Sequence, residues 1–313
     1  MEQKKEFIPA QVNVKSHLKR SKSSRVFDVF NYLFFGLFTL LCIYPFYYIF
    51  INTISDNTLT ARGLVLFYPR QIHFSNYAQV LKISGLAQAT LISVARTVLG
   101  TVLTVFASAF VGYLVTKEKM WHRKLWYRII VVTMYFNAGI IPWYILMMNL
   151  HLTNNFLAYI IPGIVSPFNM ILVKTYIESI PPALEESAQI DSAGYWVRFT
   201  RIILPLCMPI LATVTVFSAV GQWNSFQDTL FLMTDRNLYT LQFLLYRYIN
   251  ESNALATILK NTGGNVNINL SMVQTPTSVR MTVTMIVIAP ILVVYPFFQR
   301  YFVGGIMIGA VKG

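Results

Sequence analysis

A succession of long apolar blocks constrains this chain more than any other feature of its sequence. The blocks match the ~20 residues that an α-helix needs to cross the hydrocarbon core of a bilayer. Only 12% of the 313 residues are charged, about half the share of a soluble domain, which disfavours a soluble protein with an apolar core. We therefore predict an all-α, polytopic membrane protein with six transmembrane helices. Their predicted bounds are 30–54, 86–115, 128–149, 156–177, 205–225 and 281–303.

The distribution of lysine and arginine predicts the orientation of these spans. Seventeen of these residues fall on one side of the predicted membrane and seven on the other, and Arg96 lies inside a span. Excess positive charge marks the cytoplasmic side, so we expect both termini to be cytoplasmic. This placement also accounts for the net charge of +13 without a nucleic-acid partner. The predicted parts are a cytoplasmic tail (1–26), a transmembrane domain (27–303) and a second cytoplasmic tail (304–313).

The longest predicted external connection covers 226–280. It is rich in Asn, Thr, Ser and Gly over 250–278, whereas 238–249 is apolar enough to form a short helix. We expect that helix to lie along the outer surface of the protein.

The cytoplasmic connection between the fourth and fifth predicted spans, over 181–205, has an unusual composition. Two prolines end the fourth span, and 184–191 then has the composition of a short helix. Ser192 and Gly194 favour a break, after which 195–203 forms a second short amphipathic segment. Two short helices joined by a bend form a projection, called the knob below, that a partner protein can bind.

This connection resembles the EAA loop of the permeases of ATP-binding-cassette (ABC) importers. The family's pattern is Glu-Ala-Ala, three residues, Gly, nine residues, Ile, one residue and Leu-Pro, and the matching segment here begins at Glu186. Ser187 replaces an alanine of the pattern and Ser192 replaces its glycine, while Gly194 is available to supply the bend instead. The resemblance implies that the loop contacts an ATPase subunit. The implied contact residues are Glu185, Glu186, Ser187, Ala188, Asp191, Ser192, Gly194, Arg198, Ile202, Leu204 and Pro205.

Two further segments are similar to the carbohydrate-uptake branch of this family, which includes the smaller membrane subunits of maltose-type and oligosaccharide or polysaccharide transporters. Residues 222–226 (QWNSF) resemble the branch's Trp-Asn signature, and 299–313 resembles its C-terminal tail. The resemblance implies the fold of a type I ABC importer permease. In that family the tail reaches between the ATPase subunits, which implies an ATPase contact for Gly309, Val311, Lys312 and Gly313.

The same resemblance implies a non-catalytic permease subunit in the cytoplasmic membrane. Its implied partners are a second homologous permease, two ATPase subunits and an external binding protein that delivers a sugar or oligosaccharide. The sequence holds no GxxxxGK[ST] loop, so we expect a partner to bind and hydrolyse ATP. We expect no catalytic residue, metal or other cofactor in this chain, since its four histidines are scattered.

Two alternatives differ in cargo or in energy source. An ABC permease for a peptide or an amino acid is the first. An ion-coupled secondary transporter is the second, and it is disfavoured because the twelve acidic residues fall outside the predicted spans or at a cytoplasmic end.

Arg96 lies about ten residues inside the second predicted span, where an isolated charge costs roughly 2.5–3.5 kcal/mol. One interpretation places its guanidinium in a watery cavity that meets an anionic or polyhydroxyl cargo. In the other, the helix begins later than 86, and Arg96 lies near its outer boundary. Six other side chains combine flat faces with neutral hydrogen-bonding groups that suit a sugar ring, although core packing is the alternative role for each. They are Tyr135, Asn137, Trp143, Trp223, Asn224 and Gln227.

Overall fold

This computed structural model describes residues 22–136, 138–261 and 275–310. Within these ranges every regular element is a helix. The α-helices are α1 (Lys22–Thr53), α2 (Asn57–Ala61), α3 (Ser75–Leu81), α4 (Leu86–Thr116), α5 (Arg123–Tyr135), α6 (Ile140–Asn149), α7 (Pro167–Glu178), α8 (Ala183–Ile190), α9 (Tyr195–Arg198), α10 (Leu204–Leu206), α11 (Met208–Asn224), α12 (Gln227–Leu232), α13 (Leu241–Asn261) and α14 (Pro276–Ala310). Short 3₁₀-helices cover Phe156–Tyr159, Ile161–Gly163 and Arg236–Leu238, and a π-helical turn covers Phe199–Ile203.

The chain divides into two units, one ending at Tyr48 and the other beginning at Ile49. The described part of the first unit is a single helix, the portion of α1 before Ile49. Its side chains are almost entirely apolar over 33–43. A helix that is apolar on all sides is typical of a membrane span.

Among the described residues, three helical stretches are long and apolar enough to cross a membrane: Val26–Thr53, Leu86–Thr116 and Thr277–Pro296. Two bent pairs raise the number to five if each pair is one span. The first pair joins Phe156–Gly163 to α7 at 43°, and the second joins Tyr195–Leu206 to α11 at 80°. The described part of the chain is therefore all-helical, with membrane-type helices.

Three of the predicted spans are wrong as continuous helices. The third is interrupted between α5 and α6, where Phe136 is extended and Gly139 has a positive φ of +87°, which glycine adopts readily. The fourth is divided before Pro167, because the residue that precedes a proline is pushed out of the helical region. The fifth is divided at Cys207, ahead of a proline in the first turn of α11.

In the second unit, α4 is the central helix and packs against both α7 and α11. The contact with α7 is close at Gly112, where an added Cβ would lie 3.3 Å from the backbone nitrogen of Lys174 and 3.3 Å from the carbonyl oxygen of Met170. Helix α14 packs against α11 and α13. These contacts hold α4 against α7 and α11.

The segment after α11 contains a longer helix than the sequence predicts. Most of the short helix predicted over 238–249 belongs to α13, which begins at Leu241 and continues to Asn261. Leu241, Leu244 and Leu245 are buried in a core cluster with Val283 of α14. These leucines of the predicted surface helix are therefore core residues, and their burial anchors the first part of α13.

Candidate functional site

Helices α8 and α9 form the knob that the sequence predicts between the fourth and fifth spans. Helix α8 buries none of its residues, and Glu186 is exposed on it. Ile190 is 83% exposed and Trp196, at the start of the second segment, is 57% exposed. The outer side of the knob therefore combines a charged residue with exposed apolar side chains.

The bend between the two helices is made at Ser192. Its φ is +60°, and the amide of Ala193 donates to the carbonyl of Ala188 at 2.9 Å, which closes α8 with a Schellman-type turn. The expectation that Gly194 supplies the bend is wrong, because Gly194 has an ordinary φ of −66°. Ser192 thus occupies the position of the glycine in the family's pattern, and it has a left-handed conformation that glycine adopts readily.

The left-handed conformation of Ser192 gives a direct test of the turn. Replacing Ser192 by glycine is expected to raise the thermal unfolding temperature, because a side chain in the left-handed region costs about 1 kcal/mol. The matched control is Ser187→Gly, the same substitution on the exposed side of α8, which is expected to lower that temperature because glycine is unfavourable inside a helix. Both are measured on purified protein in detergent. A lower unfolding temperature for Ser192→Gly would contradict the assigned turn.

Glu185 fixes the knob to the rest of the protein. One carboxylate oxygen accepts a hydrogen bond from the Tyr113 hydroxyl at 2.9 Å and lies 3.5 Å from the Arg198 guanidinium, while the other oxygen pairs with the Lys117 ammonium. Arg198 also donates to the Gln189 side chain at 3.1 Å. Burial lowers the pKa of Lys117, although the Glu185 carboxylate opposes that shift. The network joins α8 and α9 to the end of α4.

An aromatic cluster lies behind the knob. The Phe199 ring is 1% exposed, and its centroid is 5.5 Å from that of Phe110 and 5.3 Å from that of Tyr113. The Trp196 centroid lies 6.0 Å from that of Phe110. The knob and α4 therefore share a packed contact, which is made by Trp196 of α9 and by Phe199 directly after it.

A cavity of about 610 Å³ with a mixed polar and apolar lining lies between α4, α6, α7, α11, α12 and the 3₁₀-helices Phe156–Tyr159 and Ile161–Gly163. It contains Arg96, Trp143 and Gln227 from the predicted set. Trp223 instead packs in a hydrophobic core and donates to the carbonyl of Val287 at 3.1 Å. Tyr135 and Asn224 are exposed residues outside the cavity lining, and Asn137 lies outside the described residues, as do Val311, Lys312 and Gly313.

Arg96 is held inside the protein. Helix α4 begins at Leu86, so the interpretation in which the helix starts later is wrong. The expectation that the guanidinium faces water is also wrong, since Arg96 is 2% exposed. Its Nη2 atom pairs with the Asp228 carboxylate at 2.6 Å, and its guanidinium carbon lies 4.5 Å from the centroid of the Tyr159 ring. The Arg96 charge, which looks isolated in the sequence, is therefore compensated by the Asp228 carboxylate.

Three residues of this network were missed by sequence reasoning. Gln222 accepts from the Arg96 Nε at 3.2 Å, the Ser225 carbonyl accepts from Nη1 at 3.3 Å, and Asp228 accepts from Nη2. The turn after α11 brings the three acceptors together. Asp228 was assigned to an external loop, and an unpaired arginine in one apolar block was the only signal that an acid elsewhere must meet it.

Comparisons with known proteins show the family of the chain. The chain is 32% identical over 296 residues to the protein LplC of Bacillus subtilis (strain 168), covering 95% of this chain and 98% of LplC. It is 30% identical to a chain of a bacterial ABC transporter involved in the import of the acidic polysaccharide alginate, with a TM-score of 0.79, covering 90% of this chain and 99% of that chain. The chain belongs to the carbohydrate-uptake permeases of the ABC importers. The family predicted from the EAA-type loop is confirmed.

Other relatives of this permease carry related descriptions. YtcP of Bacillus subtilis (strain 168), a polygalacturonan/rhamnogalacturonan transport system permease protein, is 28% identical over 290 residues, covering 93% of this chain and 99% of YtcP. A bacterial alginate ABC transporter in complex with an alginate pentasaccharide-bound periplasmic protein shares the fold at 16% identity and a TM-score of 0.57, covering 88% of this chain and 94% of that chain. No protein-family profile matches the chain. The protein is a permease subunit of an ABC importer.

Proposed function

We propose that this permease carries an oligosaccharide across the cytoplasmic membrane as one of two homologous permease subunits. Two ATPase subunits on the cytoplasmic side supply the energy, and an external binding protein delivers the cargo. The exposed knob of α8 and α9 carries this proposal. It presents Glu186 and Ile190 outward, while its inner side is fixed to α4 through Glu185.

The proposed topology has six spans with both termini in the cytoplasm. Five are the three long helices and the two bent pairs. Helices α5 and α6 together form the remaining span, since neither is long enough alone for a ~30 Å core. The break between them is tolerable in a membrane where it borders a polar cavity, and Gly139 and Ile140 belong to that cavity's lining.

The proposed coupling mechanism is mechanical. Closure of the ATPase dimer displaces α8, and the Glu185 network together with the aromatic cluster transmits this displacement to α4. Helix α4 carries Tyr113 at its knob end and Arg96 at the cavity, so both sites lie on one rigid element. Rocking of such an element is a common way in which transporters switch access to a cavity. Gly309, Val311, Lys312 and Gly313 remain proposed as a second ATPase contact.

A saccharide cargo is supported by the composition of the cavity. The Trp143 ring offers a flat apolar face, and Gln222, Gln227 and Asn169 offer amide groups. Such neutral donors and acceptors, combined with an aromatic ring, complement the hydroxyls and the apolar faces of a sugar. The named cargoes of YtcP and of the alginate transporter are polysaccharides, which supports the same class for this chain.

Reconstitution tests this proposal. The complete complex in liposomes, with its binding protein and ATP, is expected to accumulate its oligosaccharide. Omission of the binding protein, of ATP or of the ATPase subunits should abolish accumulation, and this chain alone should neither hydrolyse ATP nor move sugar. Saturable uptake by the lone chain would establish the ion-coupled alternative, and uptake of peptides but not sugars would establish the other one.

A further inference from the structure

We propose that Asp228 is the charged group that the cargo meets in this cavity, and that it makes the cavity select uncharged sugar units over uronates. This inference rests on the proposed function, because it concerns the cargo of the same cavity. It assigns to Asp228 the role of determining specificity. Its partner Arg96, taken alone, would have indicated a preference for anionic sugars.

The two partners of the ion pair differ in accessibility. The Arg96 side chain is 2% exposed, whereas that of Asp228 is 24% exposed. All three nitrogens of the guanidinium donate to protein groups, and the Tyr159 ring lies against it. An anion in the cavity would have to displace Asp228 before it could bind Arg96.

Asp228 retains capacity for a ligand. Its hydrogen bonds from Arg96, at 2.6 Å, and from the Ser225 hydroxyl, at 3.0 Å, both end on Oδ2. The other oxygen, Oδ1, keeps its acceptor lone pairs for hydroxyl donors. Sugar hydroxyls are such donors, and a carboxylate gives a stronger hydrogen bond than a neutral acceptor.

A uronate has no matching cation here. In the part of the cavity that the structure describes, Arg96 and Asp228 are the only lining residues with a formal charge at neutral pH, and their charges cancel. A cargo carboxylate would therefore approach the partly exposed carboxylate of Asp228, whose counter-ion Arg96 is already bonded and covered. Like-charge juxtaposition of this kind costs affinity, so a neutral sugar unit is preferred.

Binding of a matched pair of sugars to the purified complex, without ATP, tests the inference. The probes are α-1,4-linked galactotriose and trigalacturonate, which differ only in the oxidation of C6. Calorimetry on the wild-type complex is expected to give at least about tenfold tighter binding of galactotriose. Asp228→Asn should weaken galactotriose binding severalfold and remove or reverse the preference, because an acceptor is weakened and the Arg96 charge is no longer balanced. The matched control is Asp235→Asn, an exposed acid near Asp228 in the chain, which should change neither affinity.

The double variant Arg96→Gln/Asp228→Asn removes both charges, and it replaces Asp228→Asn in the binding experiment if the single variant does not fold. It too should lose the preference for galactotriose. An unchanged preference in a folded Asp228 variant, tighter binding of trigalacturonate by the wild type, or no binding of either sugar would each overturn the inference. ATP-dependent uptake of the cognate oligosaccharide by the same complex would then still support the proposed function, whereas loss of that uptake would count against the function itself.

Discussion

Glu186→Lys is expected to reduce sugar uptake at least about tenfold without changing the stability or the membrane insertion of the permease. Glu186 is exposed on the outer side of α8, so its substitution leaves the folded chain intact. Reversing a charge at a proposed ATPase contact replaces an attraction with a repulsion, and a change of only ~1.4 kcal/mol is already tenfold. Uptake in a strain that lacks the native permease measures the effect.

The matched control for this substitution is Glu118→Lys. The Glu118 side chain is 89% exposed, lies outside α8, and undergoes the same change of charge. It is expected to preserve uptake. Equal uptake by well-expressed Glu186→Lys and wild-type proteins would remove Glu186 from the contact.

Glu185→Leu, in contrast to Glu186→Lys, is expected to destabilise the folded permease, lowering its free energy of unfolding by about 3 kcal/mol or more. Removing one partner of a buried ion pair leaves the other charge uncompensated, which typically costs 3–5 kcal/mol. Here the substitution strands two cations, Lys117 and Arg198, whose side chains are 16% and 7% exposed. Glu186→Leu is the matched control on the adjacent residue and should change stability by less than ~0.5 kcal/mol. Chemical denaturation in detergent distinguishes the two variants.

The pH dependence of the Glu185→Leu variant gives a second readout. Lys117 can avoid the cost of an uncompensated buried charge by losing its proton, whereas Arg198 stays charged. Burial lowers the pKa of Lys117 in the folded protein, so the unfolded chain binds more protons below the ordinary lysine pKa. Stability should therefore rise with pH towards that value, and more steeply in the variant than in the wild type, because Glu185 no longer opposes the shift. A pH-independent difference between the two proteins would contradict this role of Lys117.

The knob was predictable because its signals are local. Prolines end the preceding helix, short amphipathic segments follow, and the family pattern fixes the position of Glu186. The residue that makes the bend was not predictable in the same way, because the sequence offers both Ser192 and Gly194. Only the hydrogen bond from Ala193 to Ala188 decides that the chain turns at Ser192.

The cavity shows where sequence reasoning fails. Arg96 and Asp228 are 132 residues apart, and no periodicity or local motif connects them. Trp223 and Asn224 are adjacent in the signature segment, yet one is buried in a core and the other is exposed. Side-chain direction in a kinked membrane helix depends on the packing of its neighbours, which composition does not encode.

The most direct test of the account follows ATP hydrolysis and sugar uptake together in the same vesicles, for the wild-type complex and for Glu186→Lys. The account predicts that the binding protein stimulates hydrolysis and uptake in proportion in the wild type. In the variant, uptake should be lost, and any remaining hydrolysis should no longer respond to the binding protein. Sugar uptake by the wild-type complex without ATP hydrolysis, or uptake by Glu186→Lys that remains fully coupled to hydrolysis, would contradict it.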